Sequence, residues 1–197
     1  MRRFTLLLLL LAAGLQAADT PRLTDDFASA DHPVRRAQRG PWQFADGVAT
    51  CTQDDALYKK FKDHGPILFY DFAHQDAVVR FAYRADPAVK TVVFTANGAD
   101  GHVFRFVTSA RGTSVRAFPP DAADHKSIAV GKPGPALKAG DWVPVEVRLQ
   151  GAKATVRIGT DFVQTFEHPS FARAKTNLSL GFSFGTLAVR DWAAEKE

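Results

Sequence analysis

The sequence of 197 residues is long enough for one domain with a sizeable core, and 46% hydrophobic with 23% charged residues places it outside the disordered classes. Lys and Arg number 25 against 21 Asp and Glu, a balance of +4 that falls by two if Arg2 and Arg3 leave with a leader segment. Such a surplus is too small for a nucleic-acid-binding surface, and a single cysteine, Cys51, excludes an intrachain disulfide.

Residues 1–17, MRRFTLLLLLLAAGLQA, join a basic start to an apolar run from Phe4 to Leu15, with small residues at Ala17 and Ala18. The run is short for a bilayer span and reads as a secretory signal peptide cleaved after Ala17 or Ala18. The protein is therefore expected in a periplasm or outside the cell, with no membrane anchor after cleavage. One domain is expected over residues 22–193, and 194–197 as a frayed tail.

Leu23 to Phe27 reads as a short strand, followed by the arginine-rich surface loop ADHPVRRAQRG. Trp42 to Phe44 and Val48 to Cys51 flank Asp46-Gly47, a hairpin signal, with the Trp42 ring turned inward and Cys51 a buried, inert thiol. In DDALYKKFKD, residues 54–63, the spacing of Leu57, Tyr58 and Phe61 allows a helix of at most two turns before Gly65 and Pro66.

From Phe69 to Phe118 the apolar residues alternate with period two. Val79, Phe81 and Tyr83 oppose Arg80 and Arg84, and Phe104 and Phe106 oppose Arg105. His102 takes the parity of Phe104, which predicts a partly buried ring. A turn is expected over Asn97-Gly98-Ala99-Asp100-Gly101. From Asp121 to Gly140 the composition shifts to Pro, Gly, Lys and Ala, which reads as the longest loop, with a short strand at Ser127 to Val130, and as a lid over one face.

Val143, Val145, Val147 and Leu149 then face inward, Glu146 and Arg148 outward, and Pro144 belongs at an edge or a non-bonding position. Strands at Ala152 to Ile158 and Phe162 to Phe166 precede a last hairpin, in which Leu187 and Val189 answer Leu178, Leu180, Phe182 and Phe184 around Gly185. About a dozen short strands without βαβ alternation predict an all-β fold, two antiparallel sheets packed face to face or a barrel. Sixteen Phe residues suit a sandwich core.

Gly181-Phe182-Ser183-Phe184-Gly185 matches G-x-S-x-G, but the nucleophile elbow requires a helix after the serine and a histidine downstream. Here a strand follows, and the last histidine, His168, precedes Ser183. The six histidines show no metal-ligand spacing and no cofactor motif occurs, while Asp25 and Asp26 are candidates for a structural Ca²⁺. Among acids on or beside strands, Asp71 and Glu146 are the candidates for catalytic carboxylates. Arg80, Arg105, Arg148 and Arg190 all point away from the core parity, with Trp192 on Arg190's side. Arginine forks beside an aromatic ring suit sugar hydroxyls and the apolar sugar face, whereas the alternative is a solvent face decorated with charge.

Trp42-Gln43-Phe44-Ala45-Asp46-Gly47-Val48, Phe69-Tyr70-Asp71-Phe72 leading into Val78 to Phe81, Gly101-His102-Val103-Phe104-Arg105, Trp142-Val143-Pro144-Val145-Glu146-Val147, and His168-Pro169 with Lys175 resemble the 3-keto-disaccharide hydrolase family. The resemblance covers nearly all of the chain after the leader. It implies a jelly-roll sandwich similar to concanavalin A-like lectins and glucanases, with a concave carbohydrate groove. The family landmarks map onto Trp42, Asp46, Gly47, Asp71 and Phe72, and its central arginine onto Arg105. The family's Asn-Ser-Gly signature is replaced by residues 97–101, and the E-x-D-x-x-E motif of glucanases is absent. Two functions follow. One is a secreted carbohydrate-binding domain that hydrolyses glycosides or 3-keto-glycosides, with Arg80, Arg105 and Arg148 as ligand contacts. The other is a non-catalytic adhesion or envelope-scaffold module that binds a protein or an acidic polymer. No feature of the sequence fixes an oligomeric state.

Overall fold

The computed structural model describes residues 22–121 and 126–197, so the expected signal peptide lies outside the described residues. Strands β1 (Arg22–Asp25), β2 (Arg35–Gln38), β3 (Gln43–Ala45) and β4 (Val48–Thr52) precede a short helix, α1 (Asp55–Lys60). Then come β5 (Ile67–His74), β6 (Ala77–Ala85), β7 (Thr91–Gly98), β8 (Gly101–Ser109) and β9 (Gly112–Ala117). The chain closes with β10 (Ile128–Gly134), β11 (Val143–Gln150), β12 (Lys153–Ile158), β13 (Phe162–Glu167), β14 (Lys175–Ser183) and β15 (Thr186–Lys196).

These strands build two antiparallel sheets packed as a jelly-roll sandwich. Sheet I runs β13-β12-β11-β6-β15-β4-β3, with β1 also paired to β15, and sheet II runs β10-β9-β8-β7-β14-β5-β2. The alternation read from sequence is what divides each strand between core and surface. Val79, Phe81 and Tyr83 of β6 and Val143, Val145, Val147 and Leu149 of β11 face Leu68, Tyr70, Phe94, Phe104, Phe106, Leu178 and Leu180 of sheet II, all of them buried. Between the layers the Trp192 ring stacks on Tyr70 at 4.2 Å and on Phe81 at 5.3 Å, and Phe81 stacks on Phe94 at 5.7 Å. Such ring pairs add about 0.5–1.5 kcal/mol each beyond the area they bury.

One polar contact also joins the layers. Asp25 on β1 of sheet I accepts from Arg35 Nη1 on β2 of sheet II at 2.6 and 2.9 Å, and both side chains are 1% exposed. Tyr70 Oη donates to the same carboxylate at 2.9 Å, Phe27 N at 3.0 Å, and the Arg35 guanidinium lies 3.7 Å from the Phe44 ring centroid. Asp25 therefore serves an ion pair, and the Ca²⁺ expectation is corrected: among the described residues no group of three or more metal-ligating side chains gathers.

The Asp46-Gly47 turn signal acts as read: the two residues take φ of 52° and 77°, the left-handed pair that matches strand twist, between the paired strands β3 and β4. The expected last hairpin is corrected. Phe184 and Gly185 also take positive φ, 64° and 60°, but the turn carries the chain from β14 in sheet II to β15 in sheet I, and the two strands do not pair. Ser183 therefore stands on a strand-turn-strand that crosses between the sheets, with its hydroxyl 2.6 Å from that of Thr91, and the G-x-S-x-G match is no nucleophile elbow. Two further expectations are corrected. In the described part of the segment expected as a lid, β10 pairs with β9 as the edge of sheet II. Residues 194–196 are not a frayed tail but continue β15, where Ala194 pairs with both Leu23 and Val79. Pro144 takes a non-bonding position as read: opposite Ala82 it turns its nitrogen away from β6, and its carbonyl accepts from Gly159 N at 2.8 Å one residue before the β12 ladder begins.

Candidate functional site

The outer face of sheet II carries a groove of about 520 Å³. Strand register builds its floor. Arg36, Phe69, Ser179, Thr95, Arg105 and Arg116 are successive Cα partners from β2 through β5, β14, β7 and β8 to β9, one residue per strand on the same face. The adjacent row holds Asp71, Asn177, Asn97 and His102. Small residues at the centre, Ser179, Thr95 and Gly181, leave a trough between larger side chains.

One wall comes from α1 and the turn after it, which contribute Tyr58, Asp63 and His64. The Asp54 carboxylate caps the helix by accepting from Leu57 N at 2.8 Å. Lys62 and Asp63, at φ of 54° and 62°, end it and turn the chain back toward the sheet. Gly65 permits that return, because a Cβ there would collide with the Phe182 carbonyl. Tyr58 is held at 5.3 Å from the Phe184 ring.

The other wall is a chain of hydrogen bonds. His102 Nδ1 lies 2.6 Å from Asn97 Oδ1, which only accepts, so that nitrogen carries the proton and Nε2 accepts from Arg105 Nη2 at 2.7 Å. Arg105 Nε donates to Thr95 Oγ1 at 3.0 Å, and Asn97 Nδ2 donates to Asn177 Oδ1 at 2.8 Å. Desolvation first, and then the charge of Arg105, lower the His102 pKa to about 4, which keeps the ring neutral in this role. Desolvation, followed by the charge of Arg116, also lowers the Arg105 pKa. Phe118 closes this side, 5.1 Å from the His102 ring and 5.4 Å from the Arg105 guanidinium. Thr95, Asn97 and Ser179 are buried although they face away from the core. The groove thus presents fixed polar groups beside the half-buried Phe69 ring, over which Arg36 lies at 5.0 Å.

Of the residues expected at a site, the structure brings together Arg105 and His102. The parity expected for His102 is corrected: a register shift between Ala96 and Asn97 lets Val103 take the inward position and turns His102 to the face of Arg105. Asp71 is on this face too, paired with Arg36 at 2.6 Å.

Arg80, Glu146, Arg148 and Arg190 stand on the outer face of sheet I, the opposite side of the sandwich. There Glu146 meets Arg80 at 2.8 Å and Arg157 at 3.5 Å, Arg148 pairs with Glu197, and Arg190 lies 4.3 Å over the Trp142 ring. The expected common arginine surface is thereby corrected, and Asp71 and Glu146, on opposite faces, cannot flank one bond. Trp192 is also corrected: Asp191, at φ of 57°, forms a bulge in β15 that reverses the alternation and buries Trp192 to 1% exposure.

Sequence reasoning passed over Asn97, Asn177, Ser179 and Thr95. A signal was present. At outward positions of β7 and β14 the residues are short and uncharged, where a solvent face would carry Lys or Glu.

No protein-family model matches the sequence, and no curated protein matches it. Solved structures do resemble the fold. The carbohydrate-binding module CBM66 from Bacillus subtilis superposes with a TM-score of 0.60 at 8% identity, covering 82% of this chain and 94% of that one. The CBM2 module of the evolved Dit protein from Lactobacillus casei BL23 phage J-1 gives 0.64 at 12% identity, over 89% and 94% of the two chains. The Crh5 transglycosylase gives 0.61 at 14% identity, over 89% and 84%. At these identities the likeness establishes the architecture, a two-sheet jelly-roll sandwich.

Proposed function

We propose that this protein binds carbohydrate in the groove on sheet II, through Arg105, His102, Asn97, Asn177 and Phe69. The observation that carries the reading is the oriented chain from Asn177 through Asn97 and His102 to Arg105, fixed along a trough that also holds an aromatic ring. A sugar offers hydroxyls that both donate and accept, and an apolar ring face, which are the complements of an amide, a guanidinium fork and a Phe ring. The names of the similar structures, carbohydrate-binding modules and a transglycosylase, agree with it. The export expected from residues 1–17 would bring the protein to where polysaccharides are met.

Hydrolysis of glycosides or 3-keto-glycosides, as the family resemblance implies, would draw on the carboxylates of this face, Asp63 in the groove wall and Asp71 on the same face of β5. Asp71 is engaged by Arg36, and the other members of its row are two amides and an imidazole rather than a second carboxylate. Binding without hydrolysis is therefore the favoured reading, and the envelope-scaffold role becomes an outcome of the test.

The test is a glycan array followed by titration of the full chain with the best glycan, with released sugar measured in parallel on glycosides and 3-keto-glycosides. H102A and N97A are expected to weaken binding by roughly tenfold or more, the loss of one or two polar contacts. R148A, on the opposite face, is expected to leave it unchanged, with no sugar released. A blank array, or binding lost in R148A and kept in H102A, overturns the proposal.

A further inference from the structure

Arg105 and Arg116 are direct cross-strand partners in β8 and β9, so both guanidinium groups leave the same face of sheet II, and both residues are half-buried. Like charges placed directly opposite each other destabilise a sheet. Among the described residues neither arginine has a carboxylate partner. Arg105 donates to Thr95 and His102, and Arg116 to the hydroxyl and carbonyl of Ser127, at 2.6 and 3.2 Å.

Most other strand arginines meet an acid, Arg35 with Asp25, Arg36 with Asp71, Arg80 and Arg157 with Glu146, Arg148 with Glu197, while Arg84 lies over the Trp142 ring. Arg105 lines the groove and Arg116 stands beside it on β9, so two adjacent, half-buried cations without an anion among the described residues lie at this end of the face. Burial first, and then the charge of Arg116, disfavour the Arg105 cation, and a bound negative charge relieves the repulsion between the two.

We propose that the sugar taken by this groove is acidic, with a ring carboxylate held between Arg105 and Arg116 and the ring lying over Ser179 and Thr95 toward Phe69. Guanidinium pairs bind a carboxylate through charge-assisted hydrogen bonds, about twice as strong as those to a neutral hydroxyl. The inference rests on the carbohydrate reading of the same groove and adds its substrate class.

The experiment titrates the full chain with oligogalacturonides and oligoalginates, with the same oligomers after reduction of their carboxyl groups, with sulfated galactan oligomers and with polyglutamate. The uronate oligomers are expected to bind at least about tenfold more tightly than their reduced forms. R116Q should abolish that preference, lowering uronate affinity roughly ten- to hundredfold and leaving the reduced oligomers unaffected. R116K, which keeps the charge and loses the fork, should fall between, and it replaces R116Q if far-UV circular dichroism shows that variant unfolded. Equal affinity for acidic and reduced oligomers overturns the inference and leaves the carbohydrate reading standing. Binding of sulfated galactan alone overturns the carboxylate, and polyglutamate bound as tightly as uronate overturns the sugar. Absence of binding in every arm overturns both proposals.

Discussion

Replacing Asp25 by Ala should cost about 3–5 kcal/mol, the usual penalty for removing one partner of a buried ion pair. The structure supports the full range. The substitution removes the carboxylate that accepts from Arg35 Nη1, from Tyr70 Oη and from Phe27 N, and leaves a guanidinium that is 1% exposed with only the Ser29 and Ala30 carbonyls. For a domain of this size that loss lowers the melting temperature by roughly 6–20 °C. Urea unfolding followed by fluorescence of the buried Trp192 measures it directly. R35M alone should be as harmful, because it strands the carboxylate, whereas the double variant D25L/R35M removes both charges and should be milder than either single change. A D25A protein within about 1 kcal/mol of wild type, or a double variant worse than both singles, refutes the account of these two residues as a linked pair between the sheets.

Two further outcomes follow from other parts of the molecule. His74 is 6% exposed and its pKa is lowered from 6.5 to about 4, by burial first, with Lys175 and Lys196 adding to the effect and the Phe72 carbonyl and Asp76 opposing it. As pH falls from 6.5 to 4 the unfolded chain takes up a proton that the folded one refuses, so about 3 kcal/mol of stability is lost across that window and no more below it. The difference between wild-type and H74F urea midpoints at pH 7 and pH 4 reads this contribution, and identical slopes for the two proteins would exclude it. Gly65→Ala forces a Cβ onto the Phe182 carbonyl and displaces the Tyr58 wall. It should weaken glycan binding in titration while changing the melting temperature less than D25A does, and unchanged affinity would show that the wall contributes nothing.

Period-two alternation was enough to tell inward from outward along most strands, because a half-buried sheet imposes it residue by residue. It carries no information on which sheet a strand joins. Arg80, Arg148 and Arg105 look equivalent in sequence, yet strand pairing sends the first two to sheet I and the third to sheet II. Nor does alternation survive a bulge. One inserted residue beside His102 and another at Asp191 reversed the faces of His102 and Trp192; the glycines next to the first, Gly98 and Gly101, were read as part of a turn, and the second has none. The polar floor of the groove was hidden for a different reason. Asn97 was read as a turn former because Gly98 follows it, whereas the strand runs on through both and the turn begins at Ala99.

The order of the strands also bears on how the protein is made. β14 and β15 come after the other strands in the chain, and each occupies the interior of a sheet, β14 between β7 and β5, β15 between β6 and β4. A nascent chain that stops short of Lys175 therefore holds each sheet in two parts, β13-β12-β11-β6 apart from β4-β3 and β10-β9-β8-β7 apart from β5-β2. Folding of the sandwich waits for β14 and β15 and depends on long-range pairing, the slow regime for β proteins. Until both have paired, the strands on either side of each seam keep unpaired edges that other chains can join.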